Sequence, residues 1–264
     1  MLLLTMIGDL YAIESKKILP LACGIEYLHT SSLIFDDLPA QDNSDLRRGR
    51  PTLHKTALNG DIPENLCEGR AQLAAVDLIA VSMSRINGGL LKEGFPSEKV
   101  THVVSEIAQL MHSLCVGQMM DLCAARTGIS PESSMINELD RIAWLKTGKT
   151  IEAVLVTPAI LATSKSSDRT IEFDRLRDLS RLMGILFQMR DDLLDVECSD
   201  TIGKPQSLDI KNNTVTYVTV LGINETRKRL QDFLNQILQL VDDCWPTDAE
   251  TIKDVVRHIV SRKS

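Results

Sequence analysis

The chain is poor in aromatic residues and has no excess of basic charge. Phe, Trp and Tyr together make up 4% of its 264 residues, and its formal net charge is −7 at pH 7. A nucleic-acid-binding protein needs a basic face to contact phosphates, so the acidic balance argues against that class of partner. With few aromatic rings, the core must consist mainly of Leu, Ile, Val, Ala and Met, a composition that favours helices.

The sequence also lacks the cysteine patterns of disulfide-rich and zinc proteins. Its six cysteines are scattered, without a CxxC pair or a Cys/His cluster, which is typical of reduced thiols in a cytoplasmic protein. The apolar stretch from Met1 to Tyr11 contains no basic residue, and Asp9 interrupts it too early for a signal peptide or a membrane span. We therefore expect a cytoplasmic protein without stable membrane insertion, or an organellar one whose transit peptide has been removed.

No run of residues alternates apolar and polar side chains as strands do, and the apolar spacing is helical almost throughout. The segment from Ile18 to Ile34 predicts a largely buried helix with Pro20 in its first turn and a natural end at Asp37-Leu38, before Pro39. No linker rich in Pro, Gly or Ser divides the chain. We therefore predict an all-α fold of roughly ten helices in a single domain, residues 1–264. Further helices are expected at Gln72–Ile86, Ser97–Leu122, Ile136–Ala162, Asp174–Val196 and Glu225–Val241, with a short one opened by Thr247 or Asp248.

Opposite charges crowd the stretch FDDLPAQDNSDLRRGRPT, residues 35–52, directly after the first long helix. Asp36 and Asp37 fall at the helix C-terminus, where the macrodipole is already negative, so a cation should lie close to them. The stretch lacks the alternating oxygen ligands and central glycine of an EF-hand loop. Taken alone it has two interpretations: a solvated acidic loop paired with Arg47, Arg48 and Arg50, or part of a functional site.

A second acidic cluster lies in FQMRDDLLDVEC, residues 187–198. Asp191 and Asp195 are four residues apart and share one face of a helix with apolar flanks, and Asp192 lies beside them. Carboxylates on such a helix repel each other unless counter-charges lie close. Two such clusters suit several Mg²⁺ ions that keep waters and share the oxygens of a diphosphate. Cations for that anion are available at Arg47-Arg48, Lys146, Lys149 and Lys204.

In this order, these motifs resemble those of the trans-isoprenyl (polyprenyl) diphosphate synthases, which include geranylgeranyl and farnesyl diphosphate synthases. The matching stretches are DDLPAQD with LRRGRPT, GQMMD at 117–121, KTG at 146–148, and FQMRDDLLD followed by Gly203-Lys204 and Asp209. The resemblance implies an all-α fold with a central cavity, a homodimer and three Mg²⁺ ions per site. It also implies that isopentenyl diphosphate is condensed with an allylic diphosphate, which is dimethylallyl, geranyl or farnesyl diphosphate.

The resemblance further implies roles for individual residues. Those expected to bind Mg²⁺ directly are Asp36, Asp42 and Asp191, with support from Asp37, Asp192 and Asp195. Those expected to hold the allylic diphosphate are Arg47, Lys146 and Lys204, with Thr147 and Gln188 near it. Isopentenyl diphosphate would face His29 and Arg48. The metals and cations would stabilise the departing diphosphate, so the scheme needs no protein nucleophile.

Product length is expected to depend on the residues four and five positions before Asp36, which in the family lie just below the allylic site. Bulky aromatic residues there stop chain growth early, whereas Ser32 and Ser31 leave room. We therefore expect a product of twenty carbons or longer. Small residues also allow close helix packing, and the sequence leaves both interpretations open.

Three features depart from the family pattern. The Gly-Lys-x-x-Arg-Pro motif that binds isopentenyl diphosphate would lie upstream of the first residue, and Thr214 stands where the family has a lysine. The link from Leu58 to Asp77 is longer and more polar than usual, and His54 and Lys55 before it have no assigned role. These departures make a catalytically weak partner subunit the main alternative. A class I terpene cyclase is less favoured, because cyclases normally replace the second aspartate cluster and carry more aromatic residues that cradle cations.

Overall fold

The computed structural model describes residues 2–56, 63–127, 132–162, 170–202 and 215–262. The chain folds into two compact units, residues 1–104 and 105–264. Outside a hairpin of two-residue strands, the regular structure of the described ranges is helical, which confirms the predicted all-α class. Gly203, Lys204, Asp209 and Thr214 lie outside the described residues.

The first unit is built around two long helices. Its elements are α1 (Leu2–Leu10), α2 (Ser15–Asp36), strands β1 (Leu46–Arg47) and β2 (Arg50–Pro51), 3₁₀ turns at Leu53–Lys55 and Glu64–Leu66, α3 (Cys67–Lys92) and the start of α4 (Ser97–Thr127). The predicted end of the first long helix is confirmed, since α2 ends at Asp36 and Asp37 follows as its C-cap. The hairpin was not predicted, because strands of two residues are too short to show alternation.

Small residues allow α2 and α3 to pack closely. A Cβ atom on Gly24 would lie 2.3 Å from Ile86, and one on Gly89 would lie 2.4 Å from Pro20. The Ser82 hydroxyl donates to the carbonyl of Gly24 at 2.7 Å. By length and composition alone both helices could cross a membrane, but their packing on each other is an alternative reason for their apolar surfaces.

The predicted place of Pro20 in the first helical turn was wrong. Because α2 begins at Ser15, Pro20 lies in the second turn. The carbonyl that a proline at this position leaves without an amide partner is that of Lys16. Lys16 is exposed, so water can satisfy that carbonyl.

The second unit is organised around one long helix. It contains the rest of α4, α5 (Glu132–Ala143), a π-helical turn (Trp144–Gly148), α6 (Lys149–Ala162), α7 (Thr170–Ile202), α8 (Tyr217–Leu221), α9 (Ile223–Cys244) and α10 (Glu250–Ser261). The long helix α7 packs against α6, α9 and the π-helical turn. Its buried stripe has the spacing expected of a core helix: Leu176, Leu179, Met183, Leu186 and Met189.

Two predicted boundaries in this unit were wrong. The helix expected over Ile136–Ala162 is interrupted by the π-helical turn, against whose backbone Gly184 of α7 packs. The C-terminal helix begins at Glu250 rather than after Thr247 or Asp248. The Thr247 hydroxyl donates to the Asp248 carboxylate at 2.8 Å, so the two side chains bond to each other instead of capping the helix.

Candidate active site

The first aspartate motif lies where α2 ends. The backbone N–H of Asp42 donates to the carbonyl of Asp36 at 2.9 Å, and that of Ser44 donates to the carbonyl of Asp37 at 3.1 Å. The loop therefore folds back over the helix end and satisfies carbonyls that the helix leaves unpaired. As a result Asp36 and Asp42, six residues apart in sequence, are held together by a backbone hydrogen bond.

Arg47 supplies the cation expected at this helix terminus. Its Nε donates to both carboxylate oxygens of Asp37 at 3.0 and 2.9 Å, and its Nη2 donates to Oδ1 at 2.8 Å. Asp37 is buried, and its hydrogen bond raises the pKa of Arg47 despite the opposing effect of burial. Among the described residues Nη1 of Arg47 has no acceptor in the protein, so it can still donate to a ligand.

The β-hairpin carries Arg48 at its turn. Arg48 and Gly49 both have positive φ, 52° and 73°, as the central residues of a type I′ hairpin turn do. An arginine in this conformation costs energy that glycine would not, and such strain is typical of functional positions. The exposed Arg48 side chain therefore sits on a short, sharply turned support.

His29 lies within electrostatic reach of the same arginines. Although its side chain reaches solvent, crowding by the surrounding protein lowers the pKa of His29; Glu26 opposes this effect, and Arg48 and Arg47 add to it. His29 and Arg48, the two residues expected to face isopentenyl diphosphate, are therefore close enough to affect each other electrostatically.

Arg70 of α3 anchors the segment that follows the hairpin, and sequence reasoning missed it. Its Nη2 donates to the carbonyl of Leu53 at 2.7 Å and also to that of Thr56. Thr52, which starts this segment, donates its hydroxyl to the carbonyl of Ser44 at 2.8 Å. Arg70 gave no sequence signal because its two acceptors are backbone carbonyls 14 and 17 residues away.

In the second aspartate motif, as in the first, the middle carboxylate is buried and accepts hydrogen bonds from the protein. Asp192 is buried and accepts from the Gln188 side chain at 2.9 Å and from the backbone N–H of Tyr217 at 2.8 Å. It therefore fixes the start of α8 on α7. Asp191, with a side chain 40% exposed, and the exposed Asp195 lie one helical turn apart on the other side of α7.

Asp191 has a counter-ion that sequence reasoning did not anticipate. Burial raises the pKa of Asp191, and the nearby Arg262 and Arg190 oppose that shift. Arg262 follows α10 and forms an ion pair with Asp191. The C-terminal helix, to which the sequence assigned no role, therefore ends at the second motif.

The π-helical turn places Lys146 and Thr147 between two glycines. A Cβ atom on Gly184 of α7 would lie 2.4 Å from the backbone nitrogen of Gly148, and one on Gly117 of α4 would lie 3.0 Å from that of Lys146. Backbone thus packs directly on backbone at the turn, and π-helical turns of this kind are frequent at functional sites. Lys146 forms an ion pair with Asp121, the last residue of GQMMD, while Thr147 is half-buried.

The two serines expected to affect product length have different surroundings. Ser31 is buried, and its hydroxyl donates to the carbonyl of Ala75 in α3 at 2.9 Å. Ser32 is half-buried, and its hydroxyl donates to the carbonyl of His29 within its own helix. Ser31 therefore serves helix packing, and Ser32 is the residue whose side chain is not enclosed between α2 and α3.

The carboxylates fit Mg²⁺ better than a metal that the protein alone encloses. No group of three or more His, Cys, Asp or Glu side chains is assembled as a metal cage within the described ranges. Mg²⁺ usually keeps several waters and binds one or two carboxylates together with substrate phosphates. Asp36 and Asp42 in the first unit, and Asp191 and Asp195 in the second, provide hard oxygen donors of this kind. Both carboxylate oxygens of Asp37 and of Asp192 accept hydrogen bonds from the protein.

Comparison with known proteins gives consistent matches along the chain. The model of the family described as polyprenyl synthetase matches residues 1–259. The chloroplastic geranylgeranyl pyrophosphate synthase of Catharanthus roseus is 32% identical over 257 residues, 96% of this chain and 67% of that protein. The farnesyl diphosphate synthase of Micrococcus luteus is 31% identical over 245 residues, 92% of this chain and 77% of that protein.

Solved structures agree at the level of the fold. Geranyltranstransferase from Thermotoga maritima matches with a TM-score of 0.73 and 25% identity, covering 99% of this chain and 84% of that one. The chain spans about half to two thirds of the length of the first plant relatives that it matches, 54% in one case and 67% in another.

Proposed function

The chain belongs to the polyprenyl synthetase family, and we propose that it condenses isopentenyl diphosphate with an allylic diphosphate in a Mg²⁺-dependent reaction. The primer would be dimethylallyl, geranyl or farnesyl diphosphate, and the product a prenyl diphosphate. Relatives named as geranylgeranyl and farnesyl diphosphate synthases support this reaction class.

The observation that carries the proposal is that the two aspartates of each pair differ in burial and in hydrogen bonding. Asp37 and Asp192 are buried and accept hydrogen bonds from the protein through both oxygens. Asp36 and Asp191, which precede them, are half-buried. Two unrelated local structures therefore fix the second carboxylate of each pair and leave the first partly exposed to solvent, although Asp191 also pairs with Arg262.

Two basic residues each keep a donor that could bind a diphosphate. Arg47 keeps Nη1 for a phosphate oxygen while Asp37 fixes its orientation. Lys146 has three N–H donors, so its ion pair with Asp121 leaves others available. Bound Mg²⁺ would neutralise the charge that grows on the diphosphate as the allylic C–O bond breaks. These fixed cations would add to that stabilisation without reorganising, which is the usual source of large catalytic effects.

The second substrate would be held by His29 and Arg48. With a lowered pKa, His29 is predominantly neutral at pH 7 and can donate one hydrogen bond to a diphosphate oxygen. Arg48 provides the full positive charge on the hairpin turn. Apolar helix faces would then exclude water from the allylic cation, which water would otherwise quench as an alcohol.

We propose Ser32 as the chain-length residue of the pair and expect a product of twenty carbons or longer. Ser31 already has a packing role, whereas the Ser32 hydroxyl donates within α2 in the part of the chain that the structure describes. A large aromatic residue at Ser32 could therefore enter the path of a growing chain without separating α2 from α3.

We also propose a homodimer that uses the outer face of α3. Leu73 and Val76, one turn apart on α3, are 72% and 54% exposed. Val81 of α3 and Leu66, which directly precedes the helix, are also exposed. Exposed apolar groups at this density often mark an interface.

The cytoplasm remains our proposed compartment, with a plastid or mitochondrion as the alternative suggested by the names of plant relatives.

The proposal is tested by product analysis. The purified full-length protein is incubated with Mg²⁺, labelled isopentenyl diphosphate and, separately, each of the three allylic primers, and the products are sized by chromatography. We expect elongation that EDTA abolishes. Asp36→Ala and Asp191→Ala should each remove turnover and keep the helical circular dichroism spectrum.

Two results would contradict the proposal. Failure of a folded full-length protein to elongate any primer would favour the partner subunit, and restored activity on mixing with a catalytic homologue would identify it. A cyclic hydrocarbon formed without isopentenyl diphosphate would instead identify a terpene cyclase.

A further inference from the structure

Arg262, the residue that follows α10, fastens the end of that helix to the second aspartate motif. Arg262 pairs with Asp191, and its guanidinium carbon lies 4.1 Å from the centre of the Phe187 ring. The carbonyl of Arg262 accepts from Nη2 of Arg190 at 2.6 Å. All three contacts fall within little more than one turn of α7, so we name this arrangement the C-terminal clasp.

The clasp holds a cation where the metal motif presents its first carboxylate. The Arg262 side chain is 20% exposed, so the ion pair is partly shielded from water and weakly screened by salt. A guanidinium on a carboxylate oxygen competes with any other cation for the same lone pairs. A divalent ion beside it would also be repelled.

The two arginines of the clasp each leave a hydrogen-bond donor without an acceptor, unlike Nε of Arg47 in its pair with Asp37. Nε of Arg262 is buried without a hydrogen-bond acceptor among the described residues, and so is Nε of Arg190. Arg47, by contrast, uses its Nε on both oxygens of Asp37. A cation held by fewer directed bonds is the easier one to displace.

We propose that Arg262 is a built-in counter-ion that occupies Asp191 in the metal-free protein and is displaced when a divalent cation binds there. The identity of the ion as Mg²⁺ rests on the proposed function, but the competition itself depends only on Asp191 being a cation ligand. Arg262 would then lower the apparent affinity for the metal and hold the end of α10 on α7 until the metal binds. The apparent dissociation constant rises as the fraction of protein with a free Asp191 falls.

The test measures metal binding directly, with Mn²⁺ as the probe and its free concentration followed by electron paramagnetic resonance. The titration uses the full-length protein, once with Mn²⁺ alone and once with inorganic pyrophosphate present. Arg262→Gln should tighten Mn²⁺ binding by roughly threefold to thirtyfold, the range expected for losing one partly exposed ion pair and one cation–π contact. Phe187→Leu should tighten it less, because the ion pair remains.

A matched control lies on α10, just before the clasp. Arg257 is exposed on α10 and pairs with Glu250 and Asp254, away from α7. Arg257→Gln should leave the Mn²⁺ affinity unchanged. In a double-variant comparison, Arg262→Gln should have no effect on Mn²⁺ binding when Asp191 is already replaced by Asn.

The outcomes separate the clasp from an ordinary structural contact. A structural role alone would make Arg262→Gln less heat-stable without tightening Mn²⁺ binding, and that result would overturn the proposal. The proposal would also be overturned if Arg262→Gln bound Mn²⁺ with the affinity of the original protein, or if neither protein bound Mn²⁺, both with and without pyrophosphate. If the original protein does not elongate prenyl chains but Arg262→Gln binds Mn²⁺ more tightly than the original, the proposed function is contradicted and the proposal for the clasp still holds.

Discussion

Replacing Gly184 with alanine should disturb the π-helical turn that carries Lys146. The added Cβ would lie 2.4 Å from the backbone nitrogen of Gly148 and 2.5 Å from its Cα. Because both neighbours are backbone atoms, no side chain can turn away, and overpacking of this kind costs about 1–3 kcal/mol. Alanine regains about 0.5–1 kcal/mol through its higher helix propensity. The difference between these two ranges, a net loss of up to about 2.5 kcal/mol, should lower the melting temperature by up to roughly 10 °C.

The same change should reduce prenyl transfer more than it reduces stability. A shift of the turn moves Lys146 away from the diphosphate, and a displacement of about 1 Å can cost on the order of a hundredfold in rate. Urea unfolding followed by circular dichroism and the elongation assay together measure both effects. Gly88→Ala is the matched control, because a Cβ atom there meets nothing within 4 Å, and it should stabilise α3 by about 0.5–1 kcal/mol. A Gly184→Ala protein as stable and active as the original would refute the close-packing argument.

Three further predictions follow from the described contacts. Tyr217→Phe removes a 2.8 Å hydrogen bond to Asp140, which keeps Arg229 as a partner; it should cost about 1–2 kcal/mol in urea unfolding, and an unchanged midpoint would show that the hydroxyl contributes nothing. His29 has a lowered pKa in the folded protein, so the unfolded chain takes up its proton first as the pH falls. The stability that His29 contributes is present above about pH 6.5 and is lost as the pH falls through the lowered value. His29→Gln should therefore lose less stability than the original protein between about pH 7 and pH 5. Parallel plots of unfolding free energy against pH for the two proteins would contradict this. Ser32→Phe should shorten the prenyl product with little loss of stability, whereas Ser31→Phe should destabilise the α2–α3 packing; equal product lengths for Ser32→Phe and the original would remove Ser32 from the length-determining role.

The sequence predicted well those features that depend on periodicity and helix ends. The stripe on α7 was visible as apolar residues three and four apart, and the end of α2 was visible from Pro39. The need for a cation at Asp36-Asp37 followed from the helix dipole, and Arg47 meets it.

The features that sequence reasoning missed depend on contacts between distant residues. Whether Gly184 breaks or permits a helix depends on what packs against it, and only the structure places Gly148 there. The ion pair between Arg262 and Asp191 joins residues 71 apart, and no local pattern marks either as the partner of the other. In the same way, the sequence left Ser31 open between space for a product and helix packing, and its hydrogen bond to the carbonyl of Ala75, 44 residues away, has no local signal.

The most direct test of the difference between the two aspartates of each pair is the free energy of unfolding, measured in EDTA, for four variants. These are Asp36→Asn, Asp37→Asn, Asp191→Asn and Asp192→Asn. Asp37 and Asp192 each accept several hydrogen bonds while buried, so their variants should lose about 1–3 kcal/mol. The variants of Asp36 and Asp191 should lose less than half as much. Equal losses within each pair, or larger losses at Asp36 and Asp191, would contradict the account.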